Sequence, residues 1–240
     1  MRGSVLAASA AALGLALAVS ACSSGGSTSA PPTHSASPRA TTSTGSTTST
    51  SSSTSLPAGY QRVGGAAQGV SMAVPSSWIS INFAQQNMRQ AVQKIGLHGV
   101  SQATLTQDLN SLQKLKGVYD VDVKSVKNSP EHFATNISAY CTASGISQSG
   151  SAGVPVLRQS AASQLGQVGA ENIKQTDEEI GGVPGVKTAY NLSSSAVGLL
   201  QGAQLEVLPK PDRVCFITLT AGGSFPSAVL DTVAASVQYP

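Results

Sequence analysis

The strongest constraint on the fold is a pair of apolar runs near the C-terminus, "GAQLEVLP" (202–209) and "RVCFITLTA" (213–221), which one short turn separates. The turn runs over Pro209-Lys210-Pro211-Asp212, and proline interrupts a strand because it has no amide hydrogen for the ladder. The second run is apolar, or nearly so, at both alternating sets of positions. That pattern is typical of a strand buried on both faces, so residues 213–221 are predicted to lie centrally in a sheet.

Four more segments have the pattern of strands. "VSMAVP" alternates Val70, Met72 and Val74 with small residues and ends at Pro75, and Trp78, the single tryptophan, is expected to be a core anchor. "HFATNISAYC" (132–141) also alternates, and its predicted inward face consists of Phe133, Thr135, Ile137, Ala139 and Cys141. "NIKQTDEEI" (172–180) and "VKTAYNLSS" (186–194) complete an antiparallel meander with the two apolar runs.

Helical spacing of apolar residues predicts four helices. They are "FAQQNMRQAVQKIGL", with Ala84, Met88, Ala91, Val92 and Ile95 on one face; "LTQDLNSLQKL", with Leu105, Leu109, Leu112 and Leu115; a helix through Leu157, Ala161, Leu165 and Val168; and "FPSAVLDTVAASV", with Val229, Leu230, Val233 and Val237 inward. The order of strands and helices favours an α+β fold, an α/β/α sandwich with a mostly antiparallel sheet and helices on both faces.

Three stretches resemble the LpqN/LpqT-type lipoproteins of actinobacteria: "GVSMAVPSSW", "FATNISAYC", and "AYNL…AQLEVLPKPDRVCFITLTA" with the helix that follows. That family is similar to the PsbP-like α/β/α sandwich group and to the Ran-binding release factors of eukaryotes. The likeness spans most of residues 69–240 and consists of a strand pattern. It implies a PsbP-like fold and a non-enzymatic binding or accessory domain, and it carries over no catalytic residues.

The N-terminus is predicted to be a lipoprotein signal peptide over residues 1–21. Arg2 supplies its positive charge, and the apolar run "VLAASAAALGLALAV" is shorter than the roughly eighteen residues that a spanning helix needs. The run ends in Val19-Ser20-Ala21-Cys22, which resembles the lipobox of bacterial lipoproteins. The Cys22 thiol would accept a diacylglycerol group, and two or more acyl chains anchor a protein durably. We expect a mature protein that begins at Cys22 on the outer face of the cell membrane; an ordinary cleavage site and a retained membrane helix are the alternatives.

Residues 22–58 are rich in Ser, Thr and Pro and nearly free of aliphatic side chains, so a disordered linker is predicted there. Residues 59–240 are predicted to form one domain of ordinary size. The chain has 14 Lys and Arg, of which Arg2 and Arg39 precede the domain, against 11 Asp and Glu that all lie inside it. A nearly neutral domain lacks the basic face that nucleic acids require, so no nucleic-acid partner is expected.

The chain has three cysteines. With Cys22 assigned to lipid, Cys141 and Cys215 remain as an even pair in an oxidising compartment, which favours a disulfide. Each lies in a predicted buried strand, so two free thiols that pack as small apolar side chains are the alternative.

The sequence contains no recognisable catalytic, metal or cofactor motif. His34 lies in the predicted linker, and neither His98 nor His132 has a cysteine or second histidine at the spacing of zinc ligands. A serine hydrolase motif of the G-x-S-x-G type is absent. "GGAAQG" (64–69) precedes a strand instead of opening a helix, so it is predicted to be a turn and not a dinucleotide-binding loop.

Two groups of carboxylates are candidates for acid–base chemistry, Asp120 with Asp122 and Asp177-Glu178-Glu179. Adjacent strand residues point to opposite faces, so within the second group only Asp177 and Glu179 share a face. Both groups are predicted to be solvated strand ends.

These observations predict a monomeric envelope lipoprotein that is not an enzyme and that binds a ligand or partner. Its partner is expected to be an envelope lipid or other amphiphile, held in an apolar cleft, or a membrane protein, docked on a sheet edge or loop face. Two alternatives remain open: an envelope hydrolase with an unrecognised Ser/His/Asp site, and a structural or antigenic surface protein.

Overall fold

The computed structural model describes residues 55–82, 109–129, 133–194 and 198–240. Among these residues, 109–114 are helical, and short 3-10 helices occupy Ser125–Asn128 and Gly150–Gly153. The strands and longer helices are, in chain order, β1 (Tyr60–Gly65), β2 (Val70–Pro75), β3 (Ile79–Asn82), β4 (Val118–Asp122), β5 (Thr135–Ala143), α1 (Val154–Gln167), β6 (Ala170–Ile180), β7 (Val183–Ser194), β8 (Gly198–Lys210), β9 (Arg213–Ala221) and α2 (Ser227–Ser236).

Strands β3 to β9 form one seven-stranded sheet in the order β3-β4-β5-β9-β8-β7-β6, and every neighbouring pair is antiparallel. β9 is the fourth of the seven strands, and all of its residues from Val214 to Ala221 are buried. The central position predicted for residues 213–221 is therefore confirmed. The turn before β9 is also where it was predicted, with Asp212 in the left-handed region at φ 58°.

Strands β1 and β2 form a separate antiparallel hairpin. The turn that joins them lies within "GGAAQG", as predicted. Gly64 has a φ of 80°, and a Cβ atom at this position would overlap the carbonyl oxygen of Val70, so the turn requires glycine. Strand β2 matches the predicted strand, but β1, β3 and β4 had not been predicted because each is short and weakly alternating.

One face of the seven-stranded sheet packs against the β1–β2 hairpin and α2. The buried cluster on this face joins Met72 and Val74 of the hairpin with Leu230 and Val233 of α2 and with Trp78. The sheet contributes Val118, Ile137, Ala139, Ile180, Ala203, Leu205, Val207, Cys215, Ile217 and Leu219. Trp78 is 7% exposed, which confirms the prediction that it is a core anchor.

The opposite face of the sheet packs against α1 and the helical segment 109–114. Leu157 of α1 and Leu109 and Leu112 of the segment are buried in a second cluster, with Ile81, Tyr119, Val121, Ala134, Tyr140, Val186, Leu208, Val214 and Phe216. Helices thus cover both faces of a mostly antiparallel sheet. The predicted α+β class is confirmed.

Other predictions have mixed outcomes. Ala161 and Leu165 of α1 are buried as expected, but β5 is buried on both faces and not on one, since Asn136, Ser138 and Tyr140 are as inaccessible as Ile137. The helix predicted over residues 83–97, and Leu105, lie outside the described residues, as do the predicted signal peptide and nearly all of the predicted linker. Within the described part of the chain, no helix is long and apolar enough to cross a membrane.

Candidate ligand-binding cleft

A cleft of about 440 Å³ opens at one end of the seven-stranded sheet. It lies where β4 ends, β5 begins and β9 runs out into the loop before α2. Its lining consists of Trp78, Asp122, Lys124, Ser125, Asn128, Ser129, Thr135, Gly222, Gly223, Ser224, Pro226 and Val229. Small-molecule sites in proteins commonly have volumes of about 300–1,000 Å³, and the cleft falls in this range.

Hydrogen bonds fix the turn that forms the polar side of the cleft. The Ser125 hydroxyl donates to the carbonyl oxygen of Asp122 at 2.7 Å and accepts from the amide of Thr135, also at 2.7 Å. A carboxylate oxygen of Asp122 accepts from the amide of Lys124 at 3.0 Å. The end of β4 is therefore tied to the start of β5, and Asp122, Lys124 and Ser125 hold a defined position.

The loop after β9 is held equally closely. The Gln201 side-chain amide donates to the carbonyl oxygen of Gly223, in this loop, at 3.0 Å. Next to the loop, before β5, the Ser129 hydroxyl accepts from the amide of Phe133 at 3.0 Å. A Cβ atom on Gly222 would lie 2.7 Å from the Ser129 hydroxyl oxygen and 2.8 Å from the Cβ of Phe133. Only glycine fits without displacing its neighbours, so the floor of the cleft depends on Gly222.

The lining has two chemical characters. Trp78, Pro226 and Val229 supply apolar surface, whereas the turn after β4 and the start of β5 supply hydroxyl and amide groups. Among the described lining residues, Asp122 and Lys124 are the ionisable ones, and they carry opposite charges. Such a surface suits a ligand with one apolar part and one hydrogen-bonding part, and it favours neither a strongly anionic nor a strongly cationic ligand.

A second, shallower depression of about 330 Å³ lies at the end of the β6–β7 hairpin, beside the start of α1. Its lining includes the carboxylates predicted from the sequence, Asp177, Glu178 and Glu179. Asp177 forms an ion pair with Arg158 of α1, and Glu178 lies 4.0 Å from the ammonium group of Lys187. Two of the three carboxylates, Asp177 and Glu178, are therefore next to cations at a strand end.

The other predicted carboxylates behave differently from each other. Asp122 lines the cleft, but Asp120 is fully buried, with hydrogen-bonding or ionic contacts of its own. The prediction that Asp120 is a solvated residue is therefore wrong, because β4 is an interior strand between β3 and β5. Both His98 and His132 lie outside the described residues. The described part of the chain has no group of three or more His, Cys, Asp or Glu residues placed to hold a metal ion.

Cys141 and Cys215 form a disulfide between β5 and β9. This confirms the pairing that the sequence favoured and rules out the alternative of two free thiols. Cys22, the predicted lipidation site, lies outside the described residues.

Glu206 of β8 is a buried carboxyl group that sequence reasoning missed. Its side chain has no solvent-exposed surface; one oxygen accepts from the Gln204 side chain at 2.7 Å, and the other has no hydrogen-bond partner. Burial raises the pKa of Glu206 to about 8, and the Gln204 hydrogen bond opposes this shift. Burial also raises the pKa of Tyr140, and the nearby Glu206 adds to that rise. Glu206 is therefore protonated at neutral pH.

Polar side chains form a row across the sheet beside Glu206. Ser138, Thr218, Gln204 and Thr188 stand opposite one another on four neighbouring strands, and all four are buried. In the next row, burial raises the pKa of Tyr190 to about 12, partly offset by a hydrogen bond to Thr220. From the sequence, the alternation within each strand predicts which residues share a face of the sheet. It does not predict that other segments bury these polar residues.

No protein-family model matches the chain, and no curated protein matches it significantly. Two solved structures align with part of the chain at low identity. A crystal structure from Bacteroides thetaiotaomicron VPI-5482 aligns with a TM-score of 0.44 and 9% identity over 76% of this chain, which spans only 49% of that longer chain. The solution structure of cyanobacterial PsbP (CyanoP) from Synechocystis sp. PCC 6803 aligns with a TM-score of 0.41 and 14% identity, over 77% of this chain and 94% of its own. A PsbP-family protein is thus among the structural neighbours, at low identity.

Proposed function

We propose that this protein is a cell-envelope lipoprotein, anchored through Cys22 to the outer face of the cell membrane, whose domain binds a small amphiphilic ligand without catalysing a reaction. The resemblance of three sequence stretches to the LpqN/LpqT-type lipoproteins supports a lipoprotein with a non-enzymatic binding domain. The observation that carries the proposal is the cleft at the end of the sheet, whose volume of about 440 Å³ is sufficient for a small ligand.

The lining of the cleft supports the class of ligand. Trp78 and Val229 provide an apolar contact, and Asn128, Ser125 and Thr135 provide hydrogen-bonding groups on the polar side. An amphiphile uses both surfaces: it buries apolar area against the first and satisfies its polar groups at the second. A polar metabolite would leave the apolar side unused, and a bare hydrocarbon would bury the polar side without partners.

The composition of the cleft also supports a non-catalytic role. General acid–base catalysis depends on a group whose pKa is tuned close to the working pH and that lies within reach of the reacting atoms. Among the described residues, the carboxyl group whose pKa is raised to about 8, Glu206, does not line the cleft. The serine hydroxyls at 125 and 129 are already engaged with backbone groups.

Trp78 provides a direct test because it is the single tryptophan of the chain and lines the cleft. The full mature chain, purified from its own host in a mild detergent, is titrated with the extracted envelope lipids of that host while tryptophan emission is followed. We expect a saturable change in emission, and native mass spectrometry should detect one bound small molecule per chain.

A matched pair of variants separates the cleft from other surfaces. Ser224→Phe places a large side chain on the cleft wall, whereas Ser227→Phe makes the same change at an exposed position on α2 outside the cleft. Ligand binding should be lost in the first variant and kept in the second. If wild-type protein carries no ligand, or both variants bind equally well, the cleft is not the binding site; cross-linking to a membrane protein in that case would favour a docking function.

A further inference from the structure

Glu206 lies in the middle of the seven-stranded sheet, on the face that α1 covers. Directly opposite it are Val186 on β7 and Phe216 on β9. Both belong to the apolar cluster that contains Leu157 of α1. The ring of Tyr140 stacks on Phe216 with the ring centroids 5.2 Å apart. The carboxyl group therefore lies between aromatic and aliphatic side chains, beneath a helix.

No described cation compensates a negative charge at this position. The ionisable residue of α1, Arg158, is paired with Asp177 of β6 and donates to the carbonyl oxygen of Gln175 at 3.4 Å. On β5, the facing titratable group is Tyr140, whose raised pKa keeps it neutral.

The basic residues of the two flanking strands point to the other face of the sheet. Lys187 of β7 contacts Asp231 of α2 at 3.3 Å, and the guanidinium group of Arg213 lies against Gly69 of the hairpin turn. Lys114, in the helical segment 109–114, is exposed. Ionised Glu206 would keep the single hydrogen bond from Gln204 and would have one oxygen in an apolar environment. A buried charge in that situation is strongly destabilising unless water can reach it.

The element that most easily gives water access is α1. Glu206 itself is held in β8, which is paired along its length with β7 and β9. In contrast, α1 begins without a side-chain capping bond and is not part of a strand ladder: it packs through Val154, Leu157, Ala161 and Leu165, and Arg158 pairs with Asp177 and Gln175. Separating α1 from the sheet breaks no strand pairing, whereas moving β8 breaks its pairing with both β7 and β9.

We propose that Glu206 is a proton-controlled latch for α1: the helix packs on the sheet while the carboxyl group is protonated, and it is released when Glu206 ionises. The two-state element is the α1–sheet contact, and the bound proton stabilises its closed state. The pH range of the release has two limits. Glu206 ionises near pH 4.5 when α1 is open and the side chain is exposed, and at about pH 8, its raised pKa, when α1 is closed. From about pH 5 to pH 8 the open state becomes more favourable with each unit, and above pH 8 the effect levels off since both states are then ionised.

Hydrogen exchange measured by mass spectrometry on the full mature chain tests the latch. After correction for the intrinsic exchange rate, protection of residues 154–167 should fall by up to about a hundredfold between pH 5 and pH 7, and at each pH it should be lower than the protection of β8 and β9, because α1 opens while the strand pairing stays intact. Glu206→Gln removes the ionisable group, so protection of α1 in that variant should not depend on pH. Glu179→Gln makes the same chemical change at an exposed position of β6 and should behave as wild type.

The latch is overturned if wild-type protection of residues 154–167 is the same at both pH values, if Glu206→Gln loses protection as wild type does, or if α1 is as well protected as β8 and β9, which would mean that α1 opens only when the whole domain unfolds. Wild-type protein measured at four pH values from 5 to 9 is decisive even if Glu206→Gln does not fold. Protection of α1 must then fall and level off near pH 8, and a fall that continues at the same slope to pH 9 contradicts the assignment.

Discussion

Cys141 and Cys215 stand directly opposite each other on the neighbouring strands β5 and β9, with their Cα atoms 4.1 Å apart, and a disulfide joins them. The two residues are 74 positions apart in the chain, and α1 and the strands β6 to β8 all lie between them. The bond therefore closes a long loop at the centre of the sheet. In the unfolded chain it restricts the segment that forms almost half of the domain.

Replacing both cysteines, as Cys141→Ala with Cys215→Ala, is expected to lower the free energy of unfolding by about 4 kcal/mol. The chain-entropy model gives this magnitude for a loop of this length. Denaturant unfolding of wild type and the double variant measures the difference. Added reductant should shift the wild-type midpoint towards that of the variant and leave the variant unchanged; a wild-type midpoint that ignores reductant would contradict the role assigned to the bond.

Gly202 of β8 has the ring of Tyr190 lying across it, and a Cβ atom there would overlap that ring. Tyr190, on β7, reaches over Gly202 to hydrogen-bond with Thr220 on β9. Gly202→Ala is therefore expected to cost about 1–3 kcal/mol by overpacking. Gly166→Ala is the matched control, because that site in α1 has open space around it and alanine favours a helix by up to about 1 kcal/mol.

A double-mutant cycle with Tyr190→Ala checks the cause of that cost. If the ring is responsible, Gly202→Ala should become nearly neutral once the ring is gone. An unchanged cost in the Tyr190→Ala background would show that the backbone of β8, and not the ring, excludes alanine. Thermal or denaturant unfolding of the four proteins supplies all the values that the cycle needs.

The stability of the whole protein should fall as pH rises from about 5 to 8, and Glu206 is the reason. Its folded-state pKa of about 8 lies above its ordinary value of 4.5, so the folded state binds a proton that the unfolded state has already released. The contribution of this group is complete below pH 4.5, declines through the interval and is gone above pH 8. It amounts to several kcal/mol, on the order of 1.4 kcal/mol per pH unit.

Glu206→Gln should make the free energy of unfolding less dependent on pH, since glutamine is neutral at every pH. The variant should be more stable than wild type at pH 8. Midpoints of urea unfolding at pH 5, 6.5 and 8 report it. Glu171→Gln, at an exposed position on β6, is the control and should retain the wild-type slope. Parallel curves for wild type and Glu206→Gln would mean that other groups govern the pH dependence.

The central strand, β9, was predictable because its signal is local. In "RVCFITLTA" the apolar residues occupy both alternating sets, so the central position of β9 follows from nine residues alone. Its Thr218 and Thr220 also fit that position, because each is β-branched and small. The disulfide was open in the sequence, since two buried cysteines pack equally well as thiols. Their direct opposition across β5 and β9 depends on strand register, which a single sequence does not specify.

The cleft and the buried acid could not be predicted, since both depend on distant segments meeting. The cleft brings together Trp78, the turn after β4, the start of β5 and the loop after β9, and its Ser, Asn and Gly residues are those of ordinary surface turns. Glu206 occupies an alternating position in "AQLEVLP" that normally faces solvent. It is buried because α1 and the apolar cluster around Leu157 cover that face. Asp120 was mistaken for a solvated residue because the interior position of its strand, β4, also depends on pairing with other segments, β3 and β5.

Cys22 gives the prediction that decides where the protein is located. If the Cys22 thiol carries the lipid, growth with labelled palmitate should label the wild-type protein, and its mature mass should correspond to a chain that begins at Cys22 with acyl groups attached. Cys22→Ala removes the thiol, so the label should be absent and the signal peptide should not be processed at that position. Ser23→Ala keeps the thiol and changes only its neighbour, and it should be labelled as wild type is. Label in the Cys22→Ala protein, or none in the wild type, would contradict lipid attachment at this residue and with it the proposed membrane location.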